Sequence, residues 1–152
     1  MKVIALTLLA LLCCSALANS NFDQYAFKRS DDVFKFVDTT NFAVYVLFLY
    51  NGDWASTEVH HPMKARYDLE KEEIRRIIGK YGSAIHFSEI NVNSGDYSHL
   101  LSAIGIEPED LNEYPMTVAT DGVLGVWVQG PREYHRIGQV IDGFVTNQRS
   151  NN

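Results

Sequence analysis

Phe42-Ala43-Val44-Tyr45-Val46-Leu47-Phe48-Leu49-Tyr50 is the stretch on which the fold turns. Each residue is β-branched, aromatic or aliphatic, and none carries a charge that would mark a solvent face. The run is too short to cross a membrane and reads as a strand buried on both sides. Asn51-Gly52-Asp53 follows as a turn. A long helix is expected over 56–81, with a bend at Pro62. Ile74, Ile77, Ile78 and Tyr81 recur there at helical spacing, and Gly82 ends it. A second strand is expected over 84–92, a short helix over 96–104 closed by Gly105, and one helical turn over 107–111.

Upstream of the central run, residues 19–29 are polar with scattered aromatics (Phe22, Tyr25, Phe27), and an edge strand is expected at 25–28. Ser30-Asp31-Asp32 reads as a helix start, because a serine cap and early acids suit unpaired N–H groups and the positive helix end. Val33, Phe34, Phe36 and Val37 supply the apolar face. Downstream, strands at 116–119 and 123–128 flank Asp121-Gly122, a two-residue hairpin signal. Gly130-Pro131 opens a last helix carrying Ile137, Val140, Ile141, Phe144 and Val145. The order is helix, strand, helix, strand, helix, hairpin, helix. It predicts an α/β fold with a right-handed parallel crossover and a sheet made mixed by the closing hairpin.

The N-terminus has the pattern of a secretory signal. Lys2 precedes an apolar run over 3–12, and Ala16-Leu17-Ala18 is a small-x-small cleavage site, so cleavage is expected after Ala18. One domain is expected over 19–148, with a frayed tail at 149–152. The chain has two cysteines, Cys13 and Cys14, and both fall in the discarded segment. The mature chain is then free of thiols and disulfides. At roughly 130 residues it buries about two-thirds of its surface and stands without them. Loss of Lys2 moves the net charge from −6 to −7. The basic residues are scattered, so neither a nucleic acid nor an anionic membrane is an expected partner. No cofactor is expected. Glu58, His60 and His61 offer two metal-ligand types on one helical face but no third ligand, so no metal site is assigned.

These residues resemble a thioredoxin-fold domain over nearly the whole mature length. The resemblance rests on the buried strand 44–50, Trp54 just after it, the Tyr114-Pro115-Met116 step before the hairpin, and Gly130 before the final helix. It implies a central mixed sheet flanked by helices and a cis peptide bond at Pro115. It also places Trp54-Ala55-Ser56-Thr57-Glu58 at the redox motif, with Ala55 and Glu58 where two cysteines would stand. That fold activates a thiolate at a helix N-terminus. Ala55 has nothing to ionise, and Glu58 suits the positive helix end as a stabiliser only.

Within that fold the chain is similar to the N-terminal domain of the redox-inactive endoplasmic-reticulum family of the Windbeutel type, over 33–50 and 95–115. The family implies a homodimeric, non-enzymatic escort or chaperone of secretory cargo, and Asp31 matches an acid near its dimer contact. Three features depart from it. Neither a second, helical domain nor a retrieval signal is expected, since the sequence ends Arg149-Ser150-Asn151-Asn152. A proline that the family has after its first buried strand is also missing. The expected location is therefore outside the cell or in the endoplasmic-reticulum lumen.

Tyr50, Trp54 and Tyr114, beside the Pro115 loop, form a candidate aromatic patch for polypeptide. Exposed aromatics bury much area at small entropic cost. The alternative reading makes Tyr50 and Tyr114 half-buried strand-end residues. The expected function is non-catalytic polypeptide binding in the secretory pathway, with a structural subunit built on the same rigid fold as the alternative.

Overall fold

A strand without a polar face is stable only in the interior of a sheet covered on both sides, and the central run occupies that position. The computed structural model describes residues 22–37, 43–52 and 62–150. In chain order the elements are β1 (Asp23–Tyr25), α1 (Ser30–Val37), β2 (Val44–Tyr50), α2 (Pro62–Ile78), a 3-10 turn (Gly82–Ala84), β3 (Ile85–Asn91), α3 (Ser98–Ile104), a second 3-10 turn (Pro108–Leu111), β4 (Met116–Thr120), β5 (Gly125–Gln129) and α4 (Tyr134–Ser150). They build a five-stranded sheet in the order β1-β3-β2-β4-β5. β3 runs parallel to both β1 and β2, whereas β4 is antiparallel to β2 and β5.

No residue from Val44 to Leu49 is more than 3% exposed. The pleat sends alternate side chains to opposite faces. Val44, Val46 and Phe48 meet Tyr67, Ile74, Ile77 and Ile78 of α2 and Ile137, Ile141 and Phe144 of α4. Leu47 and Leu49 meet Val33 of α1 and Leu100 and Leu101 of α3. Each large apolar side chain buried in this way contributes roughly 1.5–3 kcal/mol.

The two helices on the second face are joined through Ser30. Its backbone N–H donates to the Asp96 carbonyl at 2.8 Å. Its hydroxyl donates to the same carbonyl at 3.1 Å and accepts the Leu100 N–H at 3.1 Å. Ser30 is 4% exposed, and its hydroxyl satisfies an amide in the first turn of α3 rather than one in its own helix. The close approach needs a glycine: a Cβ on Gly95 would lie 2.1 Å from the Lys28 carbonyl oxygen.

Several boundaries differ from the sequence reading, each for a local reason. The edge strand is Asp23–Tyr25, not 25–28, because Arg29 already bridges to Asp96 as the chain turns into α1. The described part of the long helix stops at Ile78, with Gly79 N–H donating to the Arg75 carbonyl, and Gly82 instead opens a 3-10 turn. The short helix begins at Ser98 with Tyr97 at its cap, and Gly105 ends it.

The hairpin loop is 121–124 rather than two residues. The Asp121 carboxylate accepts the N–H groups of Val123 at 3.0 Å and Leu124 at 2.8 Å, which stabilises the wider turn. Gly122 sits in that loop at φ 91°, a left-handed conformation open to glycine. The last helix starts at Tyr134, after a turn closed by Glu133 N–H on the Gly130 carbonyl. The expected cis bond at Pro115 is absent: no described peptide bond is cis. An X–Pro bond favours trans by about 0.5–1 kcal/mol. The Gln129 side chain closes this loop, donating to the Asp110 carbonyl at 2.6 Å and the Tyr114 carbonyl at 3.0 Å.

Replacing Ser30→Ala leaves the buried Leu100 amide without its acceptor. The expected loss is about 1–3 kcal/mol of unfolding free energy, read as a lower urea midpoint with an unchanged slope.

Candidate functional site

The carboxyl ends of β2 and β3 are the place where this topology gathers polar and aromatic side chains. The Tyr50 carbonyl accepts the Val92 N–H at 3.0 Å. Asn51 Nδ2 donates to the Pro108 carbonyl at 2.8 Å and to Asn112 Oδ1 at 2.6 Å. Asn91 Nδ2 donates to the Gly52 carbonyl at 3.3 Å. The chain leaving β2 is thus fixed both to the end of β3 and to the 3-10 turn that precedes Pro115.

Tyr50 is half-buried, its ring 4.8 Å from that of Tyr67. Burial, then the charge of Glu89, raises its phenol above the usual value. Tyr114 is half-buried too, with the Arg66 guanidinium 4.8 Å from its ring centroid. Arg66 Nη1 also donates to the Glu113 carbonyl at 3.3 Å. Consecutive residues of α2, Arg66 and Tyr67, therefore hold the two tyrosines. Pro115 is buried, so it acts through the shape of the loop. Trp54, Ala55 and Glu58, with His60 and His61, lie outside the described residues. Asp31 is exposed in the first turn of α1.

A groove of about 330 Å³ runs beside Tyr50, between Tyr67 and Lys71 of α2 and Glu89 and Asn91 of β3. Lys71 Nζ donates to Tyr67 Oη at 3.0 Å and to Glu89 Oε1 at 3.3 Å. Burial holds Lys71 below the usual lysine value, with Arg75 adding to the effect, and burial raises Glu89 above the usual carboxyl value. Both partners are pushed toward neutrality. Desolvation therefore outweighs their attraction, and the pair orients groups more than it stabilises the fold.

One polar residue of this region was not singled out in the sequence. Glu70 lies on the buried stripe Tyr67, Glu70, Ile74, Ile77, Ile78 and is 4% exposed. Its position, three after Tyr67 and four before Ile74, was the available signal. The carboxyl faces Tyr134 at the start of α4, with Arg66 one turn away. The Tyr134 hydroxyl is buried without a hydrogen bond of good geometry, so the contact is electrostatic more than directional. Burial raises the Glu70 carboxyl from 4.5 to about 7, against the smaller opposing effects of Tyr134 and Arg66. It raises the Tyr134 phenol as well, with Glu70 adding to the shift.

With the sheet order and this site defined, solved structures give the comparison. One is thioredoxin f2 in a complex with ferredoxin:thioredoxin reductase. It is 14% identical, with 82% of this chain and 94% of that chain covered at a TM-score of 0.54. The fold is thioredoxin-like. A second similar structure is oxidised thioredoxin O2 from Arabidopsis thaliana, 12% identical, covering 83% of this chain and 96% of that one at a TM-score of 0.53. No family model matches the chain, and no curated protein does. The thioredoxin-like fold thus comes with no cysteine in the sequence that follows β2, since Cys13 and Cys14 are the only two in the sequence.

The Glu70 shift sets a pH dependence. Its folded value lies above its unfolded one, so its contribution is fully present below about 4.5 and is lost as pH rises through about 7. Glu70→Gln is neutral throughout. It is expected to be more stable than the parent by about 2–3 kcal/mol at pH 8, with the gap closing toward pH 4.5. Urea unfolding at both pH values checks this.

Proposed function

We propose that this chain is a non-catalytic, thioredoxin-like polypeptide-binding protein of the secretory pathway, acting as a chaperone or escort of secretory cargo. The observation that carries the reading is chemical. In a thioredoxin-like fold, the sequence that follows β2 includes Trp54-Ala55-Ser56-Thr57-Glu58, without a sulfur. Two-electron exchange with a client disulfide needs a thiolate to attack it and a second sulfur to resolve the mixed disulfide. Neither residue is there. What the region offers is contact surface: Tyr50 and Tyr114 held by α2, with Trp54 following in sequence.

The leader-like segment over 1–18 supports entry to the secretory pathway, into the endoplasmic-reticulum lumen or beyond it. The resemblance to the Windbeutel-type family supports an escort role. A scaffold subunit is the second reading, favoured by the exposed apolar residues Val123, Leu124 and Trp127 on the opposite edge of the sheet from β1.

Binding to an array of unfolded-protein peptides tests the proposal. Trp54→Ala and Tyr114→Ala are each expected to weaken binding about 5–30-fold, as loss of an aromatic anchor does. Unchanged binding in both variants removes the site from the Trp54 and Tyr114 regions. Insulin-reducing activity in the purified protein would overturn the non-catalytic reading.

A further inference from the structure

β5 is the last strand of the sheet and pairs with β4 alone. Its outer row of backbone N–H and C=O groups faces no other described strand. Natural edge strands are normally guarded by a charge, a proline or a bulge. This one has none: Gly122-Val123-Leu124-Gly125-Val126-Trp127-Val128-Gln129-Gly130 is neutral throughout, in a chain of which 21% is charged. Val123, Leu124 and Trp127 are 89%, 65% and 47% exposed.

Val123, Val126 and Trp127 border a groove of about 510 Å³ on the α1 and α3 side of the sheet. Val33, Phe34 and Val37 of α1 and Leu100 and Ile104 of α3 form its other walls, and no lining residue is charged. Trp127 pairs with Val118, whose side chain belongs to the core under α1 and α3, so the pleat directs Trp127 to that face too. The β4–β5 end of this face is thus left open by the helices that cover the rest of it.

We propose that this edge is the contact between two copies of this chain, joined by antiparallel β5–β5 pairing about a two-fold axis. Two observations select a second copy as the occupant. The first is charge. The chain carries −6 overall, and an isologous contact sets each patch against its own image. A charged patch repels its image, and this neutral one does not. The second is sequence symmetry. Val126-Trp127-Val128 reads the same in both directions. Antiparallel pairing centred on Trp127 therefore opposes Trp127 with its own copy and Val126 with Val128 of the second copy. Cross-strand aromatic and β-branched pairs of this kind stabilise antiparallel ladders. Val123 and Leu124 at the loop add apolar area to a strand too short to supply an interface alone. This contact is separate from the one that the family resemblance places at Asp31, and it does not depend on the peptide-binding proposal.

Sedimentation velocity over a concentration series tests the pairing. The parent protein is expected to pass from monomer to dimer as concentration rises. Trp127→Lys and Val126→Lys are each expected to abolish the dimer. Leu69→Lys, which changes an exposed apolar residue on α2, is expected to leave it intact. Hydrogen exchange on the unmodified protein gives a second readout, with amides in 125–129 expected to exchange more slowly as concentration rises. A parent that stays monomeric overturns the proposal. So does a dimer that survives both edge substitutions, or one whose concentration-dependent protection lies around Asp31 instead of β5.

Discussion

The double-sided burial of β2 sets the terms for the rest of the molecule. A sheet strand with no polar face must have a strand on each side and a helical layer above and below. β3 and β4 provide the flanking strands. α2 and α4 cover one face, and α1 and α3 cover the other. Since β2 is followed by α2 and then by the parallel β3, the covering helix is also the crossover between them. The carboxyl ends of β2 and β3 are thereby brought side by side, and the candidate site sits there. The hydrophobic run therefore determines where the polar chemistry lies.

The two layers are held in register by different means. On the α2–α4 side, contact is mainly apolar apart from Glu70 facing Tyr134, and at one end the Tyr81 hydroxyl shares its proton between the Gly138 carbonyl at 3.1 Å and Asp142 Oδ1 at 2.9 Å. On the α1–α3 side, a single buried hydroxyl, that of Ser30, joins two helix starts far apart in sequence. Tyr97 adds to this by donating its hydroxyl proton to the Phe27 carbonyl at 2.8 Å. Apolar packing sets the distance between helix and sheet but leaves sliding inexpensive. Short hydrogen bonds to backbone fix α3 lengthwise, and with it the 3-10 turn to which Asn51 is bonded. The position of Asn51 at the end of β2 thus depends indirectly on a serine on the far side of the sheet.

The fold class was legible because the run 42–50 is apolar at every position, the signature of a strand buried on both faces, and the shorter strands and helices around it follow in a βαβ-plus-hairpin order. Boundaries were less legible where a side chain decides them. Asp121 bonding to Val123 and Leu124 converts an expected two-residue turn into a wider one, and Asp-Gly by itself does not reveal that choice. Ser30 was recognised as a helix-start residue, but the amide it satisfies lies seventy positions away, beyond any local rule. The trans bond at Pro115 shows the limit of an analogy. The fold can be shared while the loop is closed by a different device, here the Gln129 side chain. Of the candidate aromatics, Tyr50 and Tyr114 could be named from the sequence. That adjacent residues of α2 hold them could not, because Arg66 and Tyr67 carry no motif.

Glu70 bears on how the site region is balanced. An apolar residue at its place would extend the stripe of Tyr67, Ile74 and Ile77 without desolvating a carboxylate, so folding alone gives no reason for an acid there. The same holds for Lys71 and Glu89, each pushed toward its neutral form by burial. Glu70 and Lys71 are neighbours on α2, beside Arg66 and Tyr67, and Glu89 faces Lys71 from β3. Other charged side chains of the described α2 pair at the surface, as Lys64 does with Asp68 at 2.8 Å, whereas Arg75 lies over the Phe87 ring with its Nε buried. The costs gather on α2 beside the carboxyl ends of β2 and β3, where local rules of sequence and fold disagree. Such disagreements are expected at surfaces shaped for contact rather than for stability. The β5 edge breaks a different rule, exposing neutral strand where a charge would be safer. β4 separates it from β2, about 10 Å away at ordinary strand spacing. The two departures fall on different strands and faces, so one surface can be occupied while the other stays open.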